Sequence, residues 1–141
     1  MRFLWRSGNA EGNAPAAKGA VAYGSTVSID SESVPGVRFV IHRISFGRRM
    51  ELSARVRELS QKAEFLEAGN AVQEKIEAGI LAQQIDAMYL DWGLVGVEGL
   101  TIDGEAATPA HVIEKGPEAL AREIVSAIKG QCGLSEAERK N

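Results

Sequence analysis

Residues 47–70 read GRRMELSARVRELSQKAEFLEAGN, and their apolar side chains fall at helical spacing. Leu52, Val56, Leu59, Ala63 and Leu66 step by four, three, four and three, which lines them along one face of a helix. Glu51 with Arg55, and Glu58 with Lys62, add i,i+4 pairs of opposite charge on its flank. Gly69-Asn70 supplies residues that end helices. A second helix is predicted from about Ala71 to Trp92. Its seam runs through Val72, Ile76 and Ile80, then Leu81, Ile85, Met88 and Trp92, and Gly93 closes it. So short a connection makes the two helices an antiparallel pair.

Upstream the period changes from helix to strand. Val27 and Ile29 alternate with Thr26, Ser28 and Asp30, a short strand with one apolar face. Ser33-Val34-Pro35-Gly36 has turn chemistry, and Val37–Ile44, rich in β-branched and aromatic residues, is the return strand of a hairpin. Downstream, Leu100-Thr101-Ile102 precedes the tight-turn dipeptide Asp103-Gly104, so residues 97–107 are predicted as a small hairpin. Thr108-Pro109 and Gly116-Pro117 each open a helix with proline at its first position. The first helix runs to Lys115. The second presents Leu120, Ile124 and Ile128 to the core and stops at Gly130 and Gly133. The expected fold is α+β and mostly α-helical: an N-terminal β-hairpin packed on an antiparallel helical pair, a second small hairpin, and C-terminal helices.

The boundaries follow from composition. Residues 1–24 are rich in Gly, Ala, Asn and Ser without a sustained period, and are read as flexible, with Phe3-Leu4-Trp5 as a stretch that can alternatively dock on the domain. Residues 25–133 form the single globular domain. Residues 134–141 are a charged tail, with Ser135 and Glu138 at capping-box spacing. At 141 residues and 45% apolar composition the chain can bury a core without disulfides, and Cys132 has no cysteine to pair with. The opening lacks the apolar run of a secretory signal, and no stretch approaches a membrane span; the protein is expected to be soluble, intracellular and without membrane contact.

The residues offer little bond-making chemistry. Cys132, His42 and His111 sit in no nucleophile motif, and their separations match no usual metal-ligand spacing. Asp103-Gly104-Glu105 lacks the alternating oxygen ligands of a calcium loop. The expectation is therefore no catalytic, cofactor-binding or metal-binding residues and no cofactor: a non-enzymatic protein-binding domain. Arg43, Arg48, Arg49, Arg55, Arg57 and Lys62 make a locally basic stretch. Pairing with acids of the second helix (Glu74, Glu77, Asp86, Asp91) or of a partner protein is preferred over contact with nucleic acid, because no aromatic platform is interleaved with the arginines. Arg48 and Arg49 are thus candidate partner contacts. Tyr89 and Trp92 are candidates too, as interface anchors, although closure of the core at a helix end is the preferred reading of that pair.

Four phrases point to a family. They are Pro35-Gly36-Val37-Arg38-Phe39, Ile44-Ser45-Phe46-Gly47-Arg48-Arg49, Gly99-Leu100-Thr101-Ile102-Asp103-Gly104 and Leu134-Ser135-Glu136-Ala137-Glu138-Arg139-Lys140-Asn141. With the order of elements, over about residues 26–141, the chain resembles the small tail-assembly proteins of long-tailed bacteriophages and prophages. The resemblance implies a tail assembly chaperone in the cytoplasm of the bacterial host. Such a protein holds the long tape-measure protein while tail-tube protein polymerises around it, and then leaves. Its implied partners are the tape-measure protein, possible further copies of itself, and the tail-tube protein as a second candidate. The resemblance also implies a longer frameshifted product, for which Arg139-Lys140-Asn141 allows a slippery run of adenines. A structural minor tail or connector subunit is the alternative, and a small nucleic-acid-binding regulator a more distant one.

Overall fold

A computed structural model of the chain describes residues 19–133. The expectations for residues 1–18, including the docking of Phe3-Leu4-Trp5, and for the tail 134–141 with Ser135 and Glu138, lie outside the described residues. Within them the fold is α+β and mostly helical, and it begins with the expected hairpin.

Strand β1 (Thr26–Asp30) pairs antiparallel with β2 (Arg38–His42), Val27 opposite Ile41 and Ile29 opposite Phe39. The alternation therefore places four apolar side chains on one face, of which Phe39 and Ile41 are wholly buried. The return strand is shorter than the expected Val37–Ile44. A third strand was not foreseen: β3 (Leu94–Glu98) pairs antiparallel with β2, giving the order β1-β2-β3. Its register shifts between Val40 and Ile41, so that Leu94 lies opposite Ile41 and Val97 opposite Phe39. The bulge breaks the period of two that reveals a strand in sequence. It also leaves Val95 exposed beside the buried Leu94.

The small hairpin is correspondingly narrower than residues 97–107. It consists of β4 (Thr101–Ile102) and β5 (Glu105–Ala106), because residues 97 and 98 belong to β3. Its turn is as the dipeptide predicts. Asp103 and Gly104 both have positive φ, 54° and 84°, the conformation that matches the twist of a two-residue hairpin.

Helix α1 (Phe46–Glu67) starts one residue before Gly47, because the Ser45 hydroxyl accepts a hydrogen bond from the Arg48 amide and so caps it. Helix α2 (Val72–Gly93) returns antiparallel to it. Helix α3 (Pro109–Lys115) is capped by Thr108, whose hydroxyl accepts from the His111 amide. In α4 (Glu118–Gln131) Pro117 is the cap itself, one position before the expected site, and the helix continues through Gly130. The core lies between the sheet, α4 and the last turns of α2. Leu120, Ile124 and Ile128 of α4, fully buried as expected, meet Phe39 and Ile41 there with Leu90, Trp92 and Leu94. Gly93 packs against α4; a methyl group there would come within 2.8 Å of Ile128.

Glu123 fastens the turn after β1 to α4. Its carboxylate accepts from the Ser31 hydroxyl (2.7 Å), the Ser33 hydroxyl (2.6 Å) and the amides of Glu32 (2.8 Å) and Ser33 (3.3 Å). Partial burial acts to raise its pKa, but these donors together prevail and hold it at about 2, against 4.5 ordinarily. The folded value lies below the unfolded one. The stabilisation is therefore present above about pH 4.5 and is lost as pH falls towards 2. Glu123→Gln is expected to cost about 1–3 kcal/mol at neutral pH, allowing for solvent screening. It should also flatten the acid limb of the stability curve. Urea unfolding of both proteins across that pH range checks this: parallel acid limbs would show that Glu123 is not the titrating group.

Candidate protein-binding site

Helices α1 and α2 are 22 residues each, about 33 Å at 1.5 Å per residue. Only one end of the pair belongs to the core. Leu52 and Val56 of α1 and Ile85, Met88, Tyr89, Leu90 and Trp92 of α2 join the core cluster, which contains no residue between 57 and 84. Beyond that the two helices pack on each other, Ala63 and Ala78 lying buried between them with Leu59, Leu66 and Leu81 half-buried alongside. Small residues at the crossing allow the backbones to approach. The connection at the tip is closed by Lys75, whose ammonium donates to the Glu67 carbonyl (2.9 Å) at the end of α1. The distal part of the pair is thus an arm extending from the body of the domain.

The arm exposes several large apolar side chains. Val72, Ile76 and Ile80, expected as the start of the inward seam of α2, point outward and are 75%, 59% and 51% exposed. The seam that faces α1 is Ala78, Leu81 and Ile85, roughly half a turn of the helix away. Phe65 on α1 is exposed as well. At helical spacing the Val72-Ile76-Ile80 face passes through Gly79 and continues into Gln83 and Ala87, both exposed, and ends at Leu90, which is buried. There Gln83, Ala87 and Leu90 share a cleft of about 240 Å³ with Ile113, Ala121 and Val125. Toward the tip nothing among the described residues covers the same face. Beside it, Ile80 and Leu81 of α2 and Leu66 of α1 line a groove of about 230 Å³ with Lys62, Glu77 and Gln84.

The four residues singled out in the sequence divide into two pairs. Tyr89 and Trp92 are 7% and 5% exposed and belong to the core. Their selection as partner contacts is corrected accordingly: they close the helix end against α4 and the sheet, as the preferred reading had it. Lys129 covers Tyr89, its ammonium 5.1 Å from the ring centre and 2.9 Å from the Asp86 carboxylate. Arg48 covers Trp92, its guanidinium 5.3 Å from the ring centre. Arg49 donates to the Cys132 carbonyl at 3.0 Å. Arg55 approaches Asp91 at 3.6 Å. Two of the four acids of α2 thus take part in ion pairs, while Arg43 and Arg48 cover the rings of Tyr23 and Trp92 and Arg49 engages a carbonyl instead.

Cys132, His42 and His111 are not joined to one another by any hydrogen bond. Burial raises the Cys132 thiol pKa, only partly opposed by Arg49. Burial and the neighbouring Arg48 lower the pKa of His42, with Glu51 acting against them. His111 lines a separate cleft with Ile102, Asp103, Glu105 and Lys115, and its Nδ1 is buried without a partner among the described residues. No group of three or more His, Cys, Asp or Glu side chains among the described residues is placed to hold a metal ion. No described helix is long and apolar enough to cross a membrane.

No family model, curated protein or solved structure matches this chain. The site is therefore read from its own geometry. Spacing alone does not reveal the exposed face of α2, because Val72, Ile76 and Ile80 run on into Leu81 and Ile85 as one drifting seam. The signal was present: two apolar rows on one helix exceed what a single neighbouring helix can cover.

Proposed function

We propose that this protein is a non-enzymatic holding factor that binds an apolar helical segment of another chain along its arm, and that the segment belongs to a phage tape-measure protein during tail assembly. The observation that carries the binding reading is the uncovered face Val72-Ile76-Ile80. It is uncharged from Val72 through Gly79 and Ile80 to Gln83, so it suits the apolar stripe of a helix. It also leads into the cleft that Gln83, Ala87 and Leu90 share with α3 and α4, so a client helix could extend along α2 toward the body of the domain. The resemblance of the four sequence phrases to tail-assembly proteins supplies the client's identity. An exposed row of three side chains gives moderate affinity, which suits a factor that must be displaced.

The test separates the two parts of the proposal. Ile76→Glu/Ile80→Glu is expected to change unfolding free energy by less than about 1 kcal/mol, because both side chains already face solvent. Co-expressed with the tape-measure protein of the same phage, the parent chain should keep it soluble and the variant should not. Equal protection by both would remove the arm from the mechanism. Absence of protection by the parent chain would remove the tape-measure assignment. Recovery of the protein in purified virions would favour a structural tail subunit instead.

A further inference from the structure

At the opposite end of the hairpin a second apolar patch is set among positive charges. Phe46 and Met50, one helical turn apart at the start of α1, are 84% and 61% exposed. Helical spacing puts Arg49, Ser53, Arg57 and Gln61 on the same outward face, so its first four turns present two arginines and no carboxylate. Glu51 and Glu58 fall on the flank of the helix and Glu64 comes a turn later. Neither arginine has an acidic partner among the described residues. Arg49 bonds only the Cys132 carbonyl, at the end of α4, and Arg57 makes no ion pair. Within the described residues these two charges are left unpaired by the acids of α2, whereas Arg55 is paired with Asp91.

From this charge pattern we infer that the outward face of α1, Phe46 and Met50 flanked by Arg49 and Arg57, is a docking surface for an acidic amphipathic helix of a partner protein. The apolar side of such a helix would cover Phe46 and Met50, and its carboxylates would meet the two guanidinium groups, arginine being suited to paired hydrogen bonds with carboxylate. A nucleic acid backbone would satisfy the arginines but leave the phenylalanine and methionine without a role, which favours the peptide. The surface is distinct from the arm and does not rest on the identity of the client bound there.

The test uses two dye-labelled peptides of about 18 residues, five helical turns. Both carry leucines on one face; one has glutamates on the other, and its counterpart has lysines. Fluorescence anisotropy is measured on Ile76→Glu/Ile80→Glu protein, so that the arm does not contribute. The glutamate peptide should bind, and the lysine peptide should bind at least about tenfold more weakly. Arg49→Glu/Arg57→Glu should invert that order, and Phe46→Ser/Met50→Ser should abolish binding of the glutamate peptide with an unchanged circular dichroism spectrum. Equal binding of the two peptides would overturn the inference. So would displacement of the glutamate peptide by a DNA duplex under the same conditions, which would give the face to nucleic acid. Self-association by sedimentation that Phe46→Ser/Met50→Ser removes would assign it to a second copy. Peptide binding that emerges only after deletion of residues 134–141 would assign it to the chain's own terminus.

Discussion

Gly99→Ala is expected to lower stability by about 2–4 kcal/mol, from the strain of a non-glycine residue at positive φ together with a backbone clash. Gly99 has φ of 83°, and a Cβ there would lie 2.5 Å from the carbonyl oxygen of Gly36, itself at φ of 92° in the turn between β1 and β2. Both sides of the approach are main chain, so neither can move without displacing a turn that ends two paired strands. Gly104→Ala isolates the conformational part: its φ is 84°, but nothing lies within 4 Å of the added methyl. It should cost only about 1 kcal/mol. Thermal unfolding distinguishes them, with a fall in Tm on the order of 10 °C for Gly99→Ala and a few degrees for Gly104→Ala. Equal shifts would show that the approach to Gly36 is not tight in solution.

Ile124→Ala should lose about 2–5 kcal/mol, a large share of the stability of a domain this size. Ile124 is fully buried in α4, in the cluster that contains the sheet residues Phe39 and Ile41 and the end of α2. Truncation leaves a cavity that elements on three sides would have to shift to fill. Ile80→Ala makes the same chemical change at a side chain that is half exposed on the arm. There the loss should stay under about 1 kcal/mol. Chemical denaturation of the two variants measures the contrast directly, and similar losses would mean that the arm face is covered in the folded protein.

What the sequence made legible was set by how local the determining interactions are. The hairpin β1–β2, the helical pair, the Asp103-Gly104 turn and the Thr108 cap depend on neighbours a few residues away, and each formed within a residue or two of where its pattern placed it. Strand β3 depends on a bulge against β2, more than fifty residues distant, so Leu94 and Val97 share the inner face at a spacing that no alternation predicts. Glu123 carries no local signal for a similar reason: its partners Ser31, Glu32 and Ser33 lie about ninety residues upstream. For the exposed face of α2 the limit was different. Periodicity shows that Val72, Ile76 and Ile80 share a side of α2, but only the tertiary arrangement decides that this side stays exposed until Leu90.

The separation of the arm from the core has a consequence for how such a protein can diversify. Matched pairs of turns can be added to or removed from α1 and α2 between residues 57 and 82 without touching Phe39, Ile124 or any other residue of the central cluster. Each two turns change the reach by about 11 Å. The body of the domain then acts as a fixed handle and the helical hairpin as a ruler of adjustable length, so the extent of exposed arm surface can evolve independently of the core.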